Sequence, residues 1–262
     1  MVLFTPILYI FLIKYGYSYT EAGIYLSVFW GVSAITELPT GILADTIGQK
    51  MTVVLSCLLR GIGLGMLLVD HFFFLLLSAV LTGVAESMMS GTLSSWLMNQ
   101  VKDKKILNLD HIFSRANLYG TCCSLIIGFL IAQYVFEYNK ILPILMSAIY
   151  FLILSGVVLK YLPEKHRQPQ HQDHAFLNFR HSWKANIRKI WELLMTKKII
   201  FLVIILLSWP EVLDIGPSNQ WQVAFSGETK ETILGYMWVM ISVVGMLMNL
   251  AVIYIVKLKK HM

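Results

Sequence analysis

Glu37, Asp45, Arg60, Glu86, Arg115, Glu211 and Asp214 are ionisable side chains set inside, or at the edge of, long apolar runs. A carboxylate or guanidinium in a bilayer-crossing run is costly unless it faces an opposite charge or a water-filled cavity. The chemistry open to such a set is ion pairing and reversible protonation of the carboxylates. Arg115, in "FSRANLYG", lies near the start of its run. Its side chain either snorkels to the membrane surface or pairs with Glu37 or Glu86, of opposite sign, in the inner half of a pathway. Arg60, beside Gly61 and Gly65, has a similar ambiguity and less support.

The elements that must carry these residues are membrane helices. Of 262 residues, 57% are hydrophobic and 14% charged, and the mean hydropathy is +0.67. A soluble domain of this size would need far more polar surface. Eight apolar runs stand at roughly 1–14, 22–43, 51–69, 73–98, 110–134, 141–161, 198–215 and 232–256, most of them near the length of a bilayer crossing. They lack the short alternating strands of a β-barrel. The reading is an all-α integral membrane protein, a helical bundle of about eight transmembrane helices.

Basic residues set its orientation. Lys50, Lys102, Lys104, Lys105, the cluster from Lys160 to Lys198, and Lys257, Lys259 and Lys260 fall on one side, against Lys14, Lys140 and Lys230 on the other. The richer side is cytoplasmic, and both termini lie there. The net charge of +6 therefore reads as loops facing one side of a membrane, with no nucleic-acid partner. The organisation expected is a six-helix bundle over 1–161, a cytoplasmic linker over 162–197 and a partial second bundle over 198–262. In the linker, Phe176, Phe179, Trp183, Ile187, Trp191 and Leu194 recur at helical spacing opposite Arg180, Lys184 and Arg188, the pattern of a basic amphipathic helix on the inner membrane surface.

No cofactor or metal is expected. His166, His171 and His174 lack a supporting ligand pattern. Cys57, Cys122 and Cys123 all sit in apolar runs and read as small buried hydrophobes rather than a disulfide framework. There is no glycine-rich phosphate loop ending in lysine and a hydroxyl residue. Nor is there the H-E-x-x-H, paired-aspartate or Ser/His arrangement of an intramembrane hydrolase. Enzymatic activity is not expected.

Within the second run, Trp30, Ala34, Glu37, Gly41 and Asp45 share one helical face. Ala34 and Gly41 allow a close helix approach there, and Pro39 loosens the backbone ladder. Gly83, Ser87, Gly91 and Ser95 form a small-residue stripe in the fourth run, and Gly120, Ser124, Gly128 and Ala132 another in the fifth. Such stripes commonly serve helix packing. In "SWPEVLDIGPSNQWQ", Glu211, Asp214, Asn219, Gln220 and Gln222 gather with Trp209 and Trp221, either as an interfacial belt or as a cavity lining.

The ten residues "GILADTIGQK" resemble the signature between the second and third helices of the major facilitator superfamily, G-x-L-x-D-R/K-x-G-R/K-R/K. Gly41, Leu43, Asp45, Gly48 and Lys50 match, while Thr46 and Gln49 replace usual basic residues. The preceding "ELPTG" is similar to that of bacterial drug-efflux-type permeases. The resemblance implies that Gly41, Asp45, Gly48 and Lys50 form a conformational motif whose cytoplasmic contacts make and break as two halves rock. The arginine that the family often carries in its fourth helix is absent. A weak match of Thr20 and Gly23 with Thr232 and Gly235 fits a unit that restarts after the linker.

The resemblance implies a secondary transporter exporting a small organic or amphipathic solute, by alternating access, against proton or cation exchange. Glu37, Glu86 and Arg115 are the candidates for coupling. Trp30, Asp214, Gln220 and Gln222 are the candidates for the solute cavity. The multi-pass chain belongs in the plasma membrane. Eight crossings in place of the family's twelve suggest truncation at both ends, which a completing subunit or a homodimer would offset. The rival expectation is a non-transporting immunity, sensor or assembly protein derived from a permease.

Overall fold

The computed structural model describes residues 7–101, 109–163, 199, 202, 206 and 236–247, and the described residues are almost entirely helical. The elements are α1 (Leu8–Tyr15), α2 (Tyr19–Ile47), α3 (Gln49–Met66), α4 (Phe72–Met89), α5 (Thr92–Val101), α6 (Leu109–Leu130), α7 (Phe136–Tyr138) and α8 (Leu142–Tyr161). A π turn, Ile131–Val135, joins α6 to α7. A shorter apolar helix, α9, covers Tyr236–Leu247. Four helical stretches are long and apolar enough to cross a bilayer: Tyr19–Ile47, Phe72–Met89, Leu118–Tyr138 and Leu142–Tyr161. The chain packs as two compact units, one of 1–22, 104–147 and 222–262, the other of 23–103 and 148–221.

Local chemistry explains where these helices begin and end. At the start of α2, the Ser18 amide and hydroxyl both donate to Glu21 Oε2 at 2.8 Å, and the Glu21 amide donates back to Ser18 Oγ at 3.2 Å. This reciprocal box satisfies backbone donors that the first helical turn leaves open. The helix then runs 29 residues, roughly 44 Å at 1.5 Å per residue, longer than a hydrocarbon core of about 30 Å. Thr36 and Thr40 flank Pro39 and bond back to the carbonyls of Val32 and Thr36, at 2.7 and 2.9 Å. Such back-bonding and a missing proline donor both loosen a helix at the same place. A single residue, Gly48 at φ 94°, separates α2 from α3. That left-handed backbone is one glycine adopts at little cost.

The expected fourth crossing, 73–98, is instead two helices. Gly91, at φ 72°, turns the chain between α4 and α5, so the Gly83–Ser95 stripe does not run along one rod. Gly83 and Ser87 pack inward, whereas Ser95 is exposed. The expected fifth crossing extends as α6, the π turn and α7 to Tyr138, and the sixth corresponds to α8. Of the second bundle, the run expected at 232–256 contains α9. The 162–197 amphipathic helix lies outside the described residues, as does nearly all of the 198–215 run.

In the second unit, α3 packs closely along α4, and the small residues lie where backbones approach. A Cβ placed on Gly83 would stand 2.7 Å from the Phe29 carbonyl oxygen of α2, and one on Gly63 would stand 2.8 Å from Thr82 Cγ2. Hydroxyls add specific links. Ser56 Oγ donates to the Ala85 carbonyl at 2.7 Å, and Thr36 Oγ1 and Ser87 Oγ lie 2.7 Å apart. In the first unit, Trp238 of α9 occupies the space beside Gly128 of α6 and donates its indole N–H to the Ser124 carbonyl at 3.1 Å.

These contacts separate glycines that hold helices together from glycines that do not. Gly83→Ala should destabilise the purified protein by about 1–3 kcal/mol, because the added methyl meets backbone that cannot rotate away. Gly65→Ala, where a Cβ meets nothing described within 4 Å, should be neutral or gain up to about 1 kcal/mol from helix propensity. Thermal unfolding in detergent measures both. Equal effects would show that the α2–α4 contact does not depend on the missing side chain.

Candidate functional site

The charges meet in the second unit, between α3, α4 and α8. Arg60 stands mid-way along α3, only 4% exposed, and pairs through Nη2 with Glu86 Oε2 of α4. Its guanidinium carbon lies 5.4 Å from the centre of the Phe151 ring on α8, within range of a cation–π contact. The Ser56–Ala85 bond lies one turn before Arg60 along α3, and Ser87, which meets Thr36 of α2, directly follows Glu86. The Tyr25 and Thr82 hydroxyls approach to 3.4 Å nearer the other end of α4. Four helices therefore turn polar groups toward one stretch of α4.

The pair is asymmetric. Arg60 is buried, with its Nε lacking a hydrogen-bond partner among the described residues, whereas the Glu86 side chain is 25% exposed. Arginine keeps its proton under any physiological condition, so Glu86 is the member that can take one up. Protonating Glu86 would leave a buried guanidinium without its counter-charge, which apolar surroundings strongly disfavour. The arrangement can thus convert a proton arriving at Glu86 into a force on the α3–α4–α8 contact.

The remaining expected site residues are placed differently. Trp30, Ala34, Glu37, Gly41 and Asp45 are all exposed along one face of α2, while Thr40 and Ala44 are buried on the other side. Trp30 lies edge-on to Phe29, with ring centres 5.0 Å apart. A Cβ at Gly41 meets no described atom within 4 Å, so the close helix approach expected there is not formed among the described residues. Gly48 makes the α2–α3 turn and Lys50 is half-buried in the first turn of α3. Arg115 is exposed on α6 and belongs to the first unit. Asp214, Gln220 and Gln222 lie outside the described residues. The partner that the structure gives Glu86 is Arg60, the arginine with less support in the sequence. Its depth was the available signal: Arg60 lies in the middle of its helix and Arg115 only two turns from the start of its own.

Removing one member of the pair should be worse than removing both. Arg60→Met or Glu86→Leu alone should cost about 3–5 kcal/mol, since each strands a charge, and the double substitution should cost clearly less than their sum. A double-mutant cycle on thermal or denaturant unfolding reads this directly. Simple additivity would mean that the two side chains do not interact in the folded protein.

Comparison with known proteins places this helical architecture. The sequence matches the model of the Major Facilitator Superfamily over residues 1–261. YxaM of Bacillus subtilis (strain 168), described as an uncharacterized MFS-type transporter, is 23% identical over 158 residues, which are 59% of this chain and 38% of that relative. The chain therefore matches well under two thirds of that relative's length. No solved structure matches the chain significantly. With the family model covering almost every residue and apolar helices long enough to span a bilayer, the chain belongs to the major facilitator superfamily, whose members are multi-pass membrane transporters of small solutes.

Proposed function

We propose that this chain acts in secondary active transport, exporting a small organic or amphipathic solute by alternating access in exchange for protons or another cation. The observation that carries the reading is the buried Arg60–Glu86 pair. Intramembrane ion pairs are expensive to build and are found along ion and substrate pathways. In this reading Glu86 is the coupling carboxylate and Arg60 holds it in place. Proton uptake at Glu86 loosens α3 from α4, and solute release restores the pair. Glu37, with Trp30 on the same exposed face of α2, and Arg115 on α6 serve the same pathway. Asp214, Gln220 and Gln222 contribute to the solute cavity.

The α2–α3 turn fits the conformational role implied by its motif. Gly41, Asp45, Gly48 and Lys50 occupy the last turns of α2, the one-residue break and the first turn of α3. A reorientation of α3 would be felt there at once, because no flexible loop intervenes. The chain divides, on this reading, into a six-helix bundle over 1–161, a cytoplasmic linker over 162–197 and a second bundle beginning at 198. Both termini face the cytoplasm, and the protein resides in the plasma membrane. A second copy or a completing subunit would supply faces for the second bundle.

Cells expressing the chain should accumulate less of at least one amphipathic dye from a panel of cations and neutral compounds than cells expressing Glu86→Gln. Collapsing the proton gradient should erase that difference if protons drive the exchange. Equal accumulation in the two strains across the whole panel, with both proteins present in the membrane, would overturn the assignment of Glu86.

A further inference from the structure

We infer that the π turn Ile131–Val135 builds a contact site for an organic ammonium solute, with Gln133 as the hydrogen-bond acceptor. This rests on the transport reading above and names the class of solute. It uses residues of the first unit only, so it does not depend on the Arg60–Glu86 pair. The α6–α7 rod is one of the four stretches able to span a bilayer, and its ladder widens at the π turn, where the Phe136 amide donates to the Ile131 carbonyl. Isolated π turns inside helices are frequent at functional positions.

Gln133 is 8% exposed, and its side-chain carbonyl oxygen is buried with no hydrogen-bond partner among the described residues. A buried polar atom in that state calls for a bound molecule, because its desolvation is otherwise uncompensated. Its neighbours in sequence, Ile131, Ala132 and Phe136, are buried and apolar. The same rod adds two features that select a cation. Phe129, one turn before Gln133, meets Tyr134 and Tyr236 edge-on, with ring centres 6.3 and 5.7 Å away. Glu137, one turn after it, is exposed. Aromatic faces and a carboxylate attract an ammonium group, and an acceptor-only atom demands that the ammonium carry N–H donors. A primary or secondary amine on an apolar body meets all three requirements, whereas a quaternary ammonium ion meets two.

The test compares benzylammonium with benzyltrimethylammonium on the purified chain in detergent, reading the shift in unfolding temperature and an apparent Kd from its concentration dependence. Benzylammonium should stabilise the wild type and the trimethyl compound should do so less. Gln133→Leu should fold with unchanged or raised stability without ligand, and should bind benzylammonium about tenfold more weakly, so that the two probes become alike. Gln133→Glu, which keeps the acceptor, should retain the preference. The inference is overturned if benzylammonium gives no shift in the wild type, as it would were water the sole occupant. It is also overturned if both probes act equally there, or if Gln133→Leu keeps the preference. Should Gln133→Leu fail to fold, loss of the preference in Gln133→Glu decides against it. Transport assays are not involved, so failure here leaves the transport reading standing, and failure of transport leaves this binding result readable.

Discussion

A guanidinium in the apolar interior of a membrane bundle cannot stand alone, and the packing around α3 follows from that constraint. Arg60 keeps its charge whatever its surroundings. The chain must therefore bring a carboxylate to it, and α4 delivers Glu86. Holding α3 and α4 at that separation requires small residues between them. Gly63 supplies the space beside Thr82, and the Ser56–Ala85 bond fixes the axial position one turn from the pair. Phe151 then covers the guanidinium from α8. Charge, space and hydroxyl bonding thus specify the same helix arrangement, a consistency that favours a single packed state.

The same logic divides α2 into two faces with different work. One face, carrying Thr36, Thr40 and Ala44, meets or points toward α4, where Ser87 and Gly83 receive it. The other carries Trp30, Glu37, Gly41 and Asp45 and is exposed. A face bearing two carboxylates is not one that lipid accepts readily, which is why we assign it to the solute pathway. Helix α2 therefore joins the charge pair's surroundings on one side to an open polar stripe on the other. Its end is coupled to α3 by one residue, Gly48.

Motion in such a bundle is carried by helices that have two stable arrangements rather than by continuous bending. The Arg60–Glu86 pair supplies a natural two-state element, since the glutamate is either charged and paired or protonated and released. The one-residue turn after α2, the glycine break between α4 and α5, and the π turn in α6–α7 are the places where the backbone departs from regular helix. Each lies at an end of, or inside, an element that carries one of the proposed functional groups.

Much of this was written in the sequence, for physical reasons that are local. Apolar runs longer than a soluble protein tolerates dictated membrane helices, because backbone in lipid must satisfy itself by forming them. Three- and four-residue spacing was enough to set Trp30, Glu37, Gly41 and Asp45 on one face of α2, since helical periodicity is a property of the chain alone. The motif around Asp45 and Gly48 pointed to the family, and the family match agrees. Three things depended on tertiary structure. The run from 73 to 98 reads as one crossing, yet Gly91 adopts a left-handed turn that apolar composition does not reveal. Gln133 is unremarkable in an apolar run until burial leaves its carbonyl without a partner. Above all, the sequence determined that Glu86 required an opposite charge, but several arginines satisfied that requirement equally. Only the packing of α3 against α4 chose Arg60, because an ion pair is a matter of distance between helices, and that distance is set by the small residues and hydroxyls that let those helices meet.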